Sequence, residues 1–177
     1  ANDRAHVVFL DGTALTVGPN SVLVIDKYVY DPNRKTGEMA LSTTKGVFRF
    51  VGGSISKNSE VVVTTPSATI GIRGGIATIE VADGGATRAT FLYGDSLRVT
   101  NQGVTQTATR NGSQITASAG EKPTPPAILP PGRMPATQPF EKTASPAPAG
   151  TAPRNVIANV LPQAQLQAGQ PQLLQQQ

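Results

Sequence analysis

The residues of this sequence that could take part in catalysis are few and lie far apart. The chain has a single histidine, His6, and no cysteine. A hydrolase triad would have to use this histidine as its base, although it stands in a β-favouring run where an exposed strand histidine is the better interpretation. Two carboxylate pairs could do acid–base work, Asp26 with Asp31 and Glu80 with Asp83. Both pairs occupy ordinary turn or strand-end positions, so the sequence predicts no catalytic residue.

The motifs that could bind a cofactor or a metal are incomplete. The stretch TIGIRGG has three glycines but lacks the GxGxxG spacing and the following helix of a dinucleotide loop. LDGT and ADGG each place one carboxylate beside glycine, whereas a calcium loop needs several oxygen ligands. The absence of cysteine also excludes disulfides and thiolate metal sites. The sequence therefore predicts no enzyme, no cofactor, no metal site and no small-molecule substrate.

The charge of the chain does not indicate nucleic acid as a partner. Lys and Arg number 15 against 11 Asp and Glu, a formal net charge of +4. Proteins that bind phosphate backbones usually cluster their cations, and the only adjacent basic pair here is Arg34 and Lys35. No apolar run reaches the 18 or so residues that would span a bilayer. We therefore predict neither nucleic-acid binding nor a membrane span.

The elements that would position any site are short β-favouring runs. Between His6 and Ala117 such runs recur about every 8 to 12 residues, separated by turn residues, and no stretch has a convincing helical period. This pattern predicts an all-β roll or short β-solenoid of about ten to twelve short strands. The polar stretch DPNRKTGE, from Asp31 to Glu38, is predicted to be a projecting loop.

Alternation within two runs predicts which side chains face the core. In SLRVT, Leu97 and Val99 should face inward while Arg98 faces water. In GVFRFV, Phe48 and Phe50 share one side, and Arg49 lies on the other. The two phenylalanine rings are expected to form part of the core, because an aromatic side chain buries roughly 150–250 Å².

Composition changes abruptly about two-thirds of the way along the chain. Twelve of the 15 prolines lie after Gly120, where glutamine and alanine also replace the β-branched residues. Such a segment cannot bury enough apolar surface to order itself. We predict a β domain over residues 1–120 and a disordered Pro/Gln/Ala-rich tail over residues 121–177.

Three stretches resemble, in this order, the FecR domain family as found in standalone envelope proteins: DGTALTVGPNSVLVIDKYVYDP, LSTTKGVFRFVGGSISK and TPSATIGIRGG. The resemblance covers about residues 7 to 117. It implies an all-β roll or short solenoid, no catalysis, and a location in the periplasm or at the outer surface of a bacterium. Relatives begin with strands upstream of FLDGT, so the domain is expected to lack its first strands. The residues of the most specific motif are Thr65, Pro66, Ala68, Gly71, Arg73 and Gly74.

These motif residues are expected to be mainly structural. Pro66 would fix a strand exit, and Gly71 and Gly74 would permit close backbone approach. The five donors of Arg73 are expected to satisfy carbonyls at strand ends, so that Arg73→Ala lowers the melting temperature. The alternative is an arginine that binds a partner. Gly75 departs from the family, in which threonine often follows Arg-Gly.

Three functions fit the sequence. The first is a non-enzymatic protein-interaction or scaffold module of the cell envelope, which binds an envelope protein or a copy of itself. The second is a self-assembling filament or surface protein. The third is a fragment of an iron-responsive sigma-factor regulator of the FecR type, which would also have a cytoplasmic segment, a transmembrane helix and a further periplasmic domain. The expected partner contacts are Arg34, Lys35, Arg49 and Arg98.

Overall fold

The computed structural model of the protein describes residues 3–135. This part of the chain contains twelve strands, one helix of five residues and a 3-10 turn at Pro131–Arg133. No helix in it is long and apolar enough to cross a bilayer. The elements are β1 (Ala5–Val8), β2 (Ala14–Val17), β3 (Val22–Asp31), β4 (Thr36–Val51), α1 (Ser54–Asn58), β5 (Val61–Thr64), β6 (Thr69–Arg73), β7 (Ile76–Val81), β8 (Thr87–Tyr93), β9 (Ser96–Asn101), β10 (Val104–Ala108), β11 (Ser113–Ala117) and β12 (Ala127–Ile128).

The longest strand, β4, connects the two parts of the sheet. Its first part pairs with β3 and β5, and its second part pairs with β2 and β7. Between the two parts, Gly46 has a φ of +101°, and a Cβ at this position would lie 2.0 Å from the Oγ of Ser21. Glycine allows both the backbone angle and the close approach. The main path of the sheet is β10-β9-β6-β5-β4-β7-β8-β11-β12, with β1, β2 and β3 off this path.

The core lies on the inner face of this sheet. Buried side chains from both parts of the sheet form one cluster, including Leu41 and Ile72 from the first part and Phe48 and Phe91 from the second. Full burial of each such side chain stabilises the fold by roughly 1.5–3 kcal/mol. The predicted inward positions are confirmed for Phe48, Phe50, Leu97 and Val99, which are at most 1% exposed.

The all-β class is confirmed, but the strands form one sheet curled into a half-barrel and not a solenoid. Two of the β-favouring runs of the sequence, VLVI and YVY, join into the single strand β3 around an irregularity in register between Ile25 and Lys27, and the runs MALST and GVFRFV join into β4. Charged residues and glycine inside a strand resemble a turn in the sequence, so each of these long strands was predicted as two short ones. The predicted loop from Asp31 to Glu38 consequently shrinks to a hairpin tip of residues 32–35.

The first residues of the predicted tail lie along the sheet. Thr124 N–H donates to the carbonyl of Thr116 at 2.9 Å, and β12 pairs antiparallel with β11. Leu129 N–H donates to the carbonyl of Gly112 at 2.9 Å. A proline-rich segment has few amide donors, but these are enough to pair with an open strand edge. The described structure thus continues beyond Gly120 to Pro135, and the predicted tail residues 136–177 lie outside it.

Candidate functional site

The three stretches that carry the family resemblance meet at one end of the sheet. Ser54 N–H donates to the carbonyl of Asp11 at 2.8 Å, which joins the first stretch to the second. Gly74 N–H donates to the carbonyl of Ser56 at 2.7 Å, which joins the third stretch to the second. Gly52 N–H also donates to the carbonyl of Gly75 at 2.7 Å. We name residues 11–13, 52–56 and 73–75 the glycine junction.

Asp11 is the central acceptor of the glycine junction. Its carboxylate accepts hydrogen bonds from the Thr13 backbone N–H at 3.1 Å, the Thr13 hydroxyl at 2.7 Å and the Ile55 N–H at 3.1 Å. The residue is only 4% exposed. It therefore caps the beginning of α1, whose first N–H groups have no partner within the helix. In the sequence this aspartate stands out only as one carboxylate beside glycine in LDGT.

Glycine is required where the segments of the junction touch. Gly75 has a φ of +84°, and a Cβ there would lie 1.7 Å from the carbonyl oxygen of Tyr93. A Cβ on Gly53 would lie 2.3 Å from the backbone N of Thr13. Any larger residue would separate the segments. The glycine at position 75 thus has a steric reason in this chain.

Arg73 is the last residue of β6. The residue is exposed, and no hydrogen bond or ion pair found in residues 3–135 uses its guanidinium. Backbone donors already satisfy the nearby carbonyls: Asp95 N–H donates to the Arg73 carbonyl at 3.2 Å, and Gly52 N–H donates to the Gly75 carbonyl. The described residues therefore show none of the expected bonds from Arg73 to strand-end carbonyls, and the residue is exposed.

The other motif residues make local contacts. Thr65 closes a tight turn, since its N–H donates to the Ala68 carbonyl at 2.9 Å and its hydroxyl accepts the Ala68 N–H at 3.0 Å. Thr87 donates to the same hydroxyl at 2.8 Å, and Ser67 bonds both Thr87 and the Ala117 carbonyl. This buried hydroxyl network joins the turn at Pro66 to β8 and β11.

Gly71 leaves room for an ion pair on the outer face of the sheet. A Cβ on Gly71 would lie 2.2 Å from a carboxylate oxygen of Glu60. The Glu60 side chain therefore lies across β6 and reaches Arg98, with 3.3 Å between the Arg98 Nη1 and the Glu60 Oε2. The Arg98 side chain is 51% exposed. Such a pair contributes little to stability because water screens it.

A row of apolar side chains crosses the outer face of the sheet beside the glycine junction. Val8 pairs with Ala14, Ala14 with Val51, Val51 with Ile76, and Ile76 with Tyr93. Directly opposed residues of neighbouring strands have Cβ atoms about 4.5–5.5 Å apart, and the last pair, Ile76 with Tyr93, lies at an irregularity in register. Val8 and Tyr93 are each 64% exposed. We name these five residues the apolar row.

Arg49 lies next to the apolar row on the same outer face. It stands directly opposite Thr16 on one side and Thr78 on the other. Its Nε is buried and has no hydrogen-bond partner in the described part of the chain. An unsatisfied buried donor costs about 1–3 kcal/mol. Arg49 is half-buried, and therefore less exposed than the sequence analysis expected.

A groove on the outer face is lined by Thr78, the residue opposite Arg49 on β7. Its volume is about 890 Å³, and its lining includes Thr78, Thr90 and Gln114. Leu129 and Pro135, from the segment that follows β12, also line it. Gln114 donates to the Thr90 hydroxyl at 3.0 Å.

The remaining expected contact residues lie elsewhere. Arg34 and Lys35 occupy the hairpin tip between β3 and β4, and the Arg34 side chain is 82% exposed. The Lys35 carbonyl accepts a hydrogen bond from Asn58 at 3.0 Å, which fixes the tip against α1. Arg98 lies on β9 and Arg49 on β4. The structure does not bring these four basic residues together.

The residues considered for catalysis are dispersed. His6 is exposed, with its Nδ1 3.0 Å from the Thr16 hydroxyl oxygen. Asp31 accepts the Asn33 N–H at 2.9 Å, and Glu80 forms an ion pair with Arg88 at 3.2 Å. Within residues 3–135, no group of three His, Cys, Asp or Glu side chains is arranged to hold a metal ion. These side chains serve turns and surface pairs.

Comparison with known proteins gives a family match and a fold match. A family model described as FecR protein matches residues 1–95. Two crystal structures of a predicted anti-sigma factor from Parabacteroides distasonis are similar in fold, with TM-scores of 0.51 and 0.50 and sequence identities of 14% and 13%. Each similarity covers 68% of this chain and 53% of the other chain, so this chain spans about half the length of that protein. No curated protein matches the sequence.

Proposed function

This chain belongs to the FecR protein family, and from that premise we propose that it is a non-enzymatic protein-interaction module of the bacterial cell envelope. The resemblance found in the sequence is confirmed by the family match. The observation that supports a binding role is the apolar row with Arg49 beside it. The location in the periplasm or at the outer surface is supported by the family resemblance.

The apolar row has the properties of an interface centre. A contiguous apolar patch at the surface often marks a binding site, and here the two ends of the row, Val8 and Tyr93, are exposed while its three middle residues are half-buried. Tyrosine and arginine are enriched among the residues that dominate binding energies, and this site has Tyr93 and Arg49. Each residue of the row stands on a different strand of one sheet, so their relative positions are fixed before binding.

Arg49 specifies part of the partner's chemistry. Its buried Nε has no acceptor within residues 3–135. Because that Nε is shielded from solvent, a partner would reach only the exposed part of the Arg49 side chain, where an ionised acceptor forms a stronger bond than a neutral carbonyl. The proposed partner is therefore a protein segment that covers the apolar row with apolar side chains and places an acceptor against Arg49.

Site-specific photocrosslinking tests this proposal. A photoreactive residue at position 93 should crosslink one reproducible envelope protein in the native bacterium, and the same residue at Thr105 on the distant strand β10 should not. Val8→Glu should abolish the crosslink from position 93 without changing the melting temperature, because Val8 is 64% exposed. Identical products from both positions, or a crosslink that survives Val8→Glu, would refute partner binding at the apolar row.

The fold match favours a second candidate function. The two similar structures are described as those of a predicted anti-sigma factor, which suggests a regulatory module in sigma-factor signalling. An iron-responsive regulator of the FecR type is one form of this candidate. Deletion of the gene should then change sigma-dependent transcription when iron is limiting. An unchanged transcript profile together with a retained envelope partner would leave only the first function.

A further inference from the structure

β3 is a long strand with one open edge. It has ten residues and pairs only with β4 among the described strands. Of the nine large hydrophobic side chains that are exposed in the described part of the chain, four lie on β3: Val22, Val24, Ile25 and Val29. Proteins usually keep exposed edge strands short or polar, because an open edge pairs with other chains. The edge of β3 is therefore available for strand addition.

We propose that β3 pairs antiparallel with β3 of a second copy of this chain, across a twofold axis between residues 26 and 27. The register irregularity between Ile25 and Lys27 makes this pairing self-complementary. Leu23 and Ile25 lie opposite the buried residues Thr43 and Leu41, and Tyr28 lies opposite buried Met39, so these β3 side chains share the inner face of the sheet, where Leu23 and Tyr28 pack against the core and Ile25 stays 47% exposed. The two inward pairs, residues 23 and 25 and residues 28 and 30, are placed symmetrically about the irregularity.

One antiparallel register uses this symmetry fully. With residue 26 opposite residue 27 of the partner, Leu23 faces Tyr30, Val24 faces Val29, and Ile25 faces Tyr28. All ten residues are paired, and inward residues meet inward residues. Backbone donors and acceptors alternate with the same period as the side chains, so this register also aligns the hydrogen-bonding groups of the two edges. A shift by one residue would oppose inward and outward side chains.

The charges at the centre of β3 agree with this register. Lys27 forms an ion pair with Glu38 on β4. Asp26 accepts a hydrogen bond from Ser42 at 3.2 Å and forms no ion pair in the described part of the chain. In the dimer, each Asp26 faces Lys27 of the second copy. The pairing therefore supplies two cations to two unpaired carboxylates, and it places two Val24–Val29 pairs on the outer face.

A twofold pairing of this kind is closed. Each copy uses its only β3 edge, so the association stops at two chains and does not grow into a filament. This inference stands apart from the proposed partner binding, because β3 shares no residue with the apolar row. Dimerisation can therefore fail while partner binding survives, and the reverse also holds.

The absence of cysteine in the chain allows a direct test by disulfide trapping. In the proposed register Val24 opposes Val29 of the second copy, at a Cβ separation of about 4.5–5.5 Å that approaches disulfide geometry. Full-length Val24→Cys and Val29→Cys chains, mixed and oxidised, should give a crosslinked heterodimer. Each variant alone should give at least tenfold less product, since equivalent residues lie five positions apart. Thr105→Cys with Thr107→Cys, on the exposed edge strand β10, is the matched control and should not crosslink.

Sedimentation of the full chain with a charge exchange completes the test. The unmodified chain should dimerise reversibly. Asp26→Lys should weaken the dimer more than tenfold, because in each copy the new lysine faces Lys27 of the other copy. Adding Lys27→Asp in the same chain should restore at least part of the affinity. A chain that remains monomeric at several hundred micromolar overturns the proposal. So does a dimer in which the mixed cysteine variants crosslink no better than each variant alone.

Discussion

Replacement of Asp11 by alanine is expected to destabilise the fold more than any surface substitution. The change leaves three buried or partly buried donors without their acceptor: the Thr13 N–H, the Thr13 hydroxyl and the Ile55 N–H. A hydrogen bond to a charged group contributes about 1.5–3 kcal/mol. Because the three bonds share one carboxylate, we expect less than their sum, a loss of about 3–5 kcal/mol in the free energy of unfolding.

Urea unfolding followed by circular dichroism measures this loss. In a domain of this size, the expected change corresponds to a fall in melting temperature on the order of 10 °C. Asp11→Asn, which keeps one acceptor oxygen, should lie between the alanine variant and the unmodified chain. Asp83→Ala, at an exposed turn position, is the matched control and should change stability by less than about 0.5 kcal/mol. If the free energy of unfolding of Asp11→Ala is within about 1 kcal/mol of that of the unmodified chain, Asp11 does not cap α1.

Three further predictions concern the junction and the surface. Gly75→Ala should destabilise by about 3 kcal/mol or more, whereas Gly84→Ala, with no atom within 4 Å of its Cβ position, should be close to neutral in the same unfolding assay. Arg73→Ala should leave the melting temperature within about 2 °C, because no hydrogen bond of its guanidinium is lost; a larger fall would restore a structural role. The hydrogen bond and charge of Lys27 lower the pKa of Glu38 from its ordinary value of 4.5. The stabilisation from Glu38 should therefore be present above that value and disappear as the pH falls through the lowered pKa, so the unfolding midpoints of the unmodified chain and Glu38→Gln should converge in acid.

Much of the fold could be predicted because its strands alternate apolar and polar residues. Phe48 and Phe50, with Leu97 and Val99, face the core as the period of two requires. The strand β6 has a weak sequence signal, because its residues TIGIR include Gly71 and glycine is depleted in strands. Local propensity cannot show that Glu60 occupies the space above Gly71, since Glu60 lies just before β5 and Gly71 lies on β6.

The candidate site was harder to predict than the fold. The apolar row consists of one outward residue from each of five strands, so no single stretch of sequence shows it. The capping role of Asp11 depends on Ile55, which is 44 positions away along the chain. The helix α1, with five residues, is too short to show a helical period. These features depend on strand register and on contacts between residues far apart along the chain. Neither can be read from the sequence alone.

The shared strand β4 also determines how this protein comes apart. Its first part completes the region of β3 and β5, and its second part completes the region of β2 and β7. Neither region can be excised as an independent folding unit, because a cut at Gly46 would leave both with an incomplete edge. Residues 3–135 are therefore expected to melt in one cooperative transition, and fragments divided at this glycine should regain structure only when they are combined.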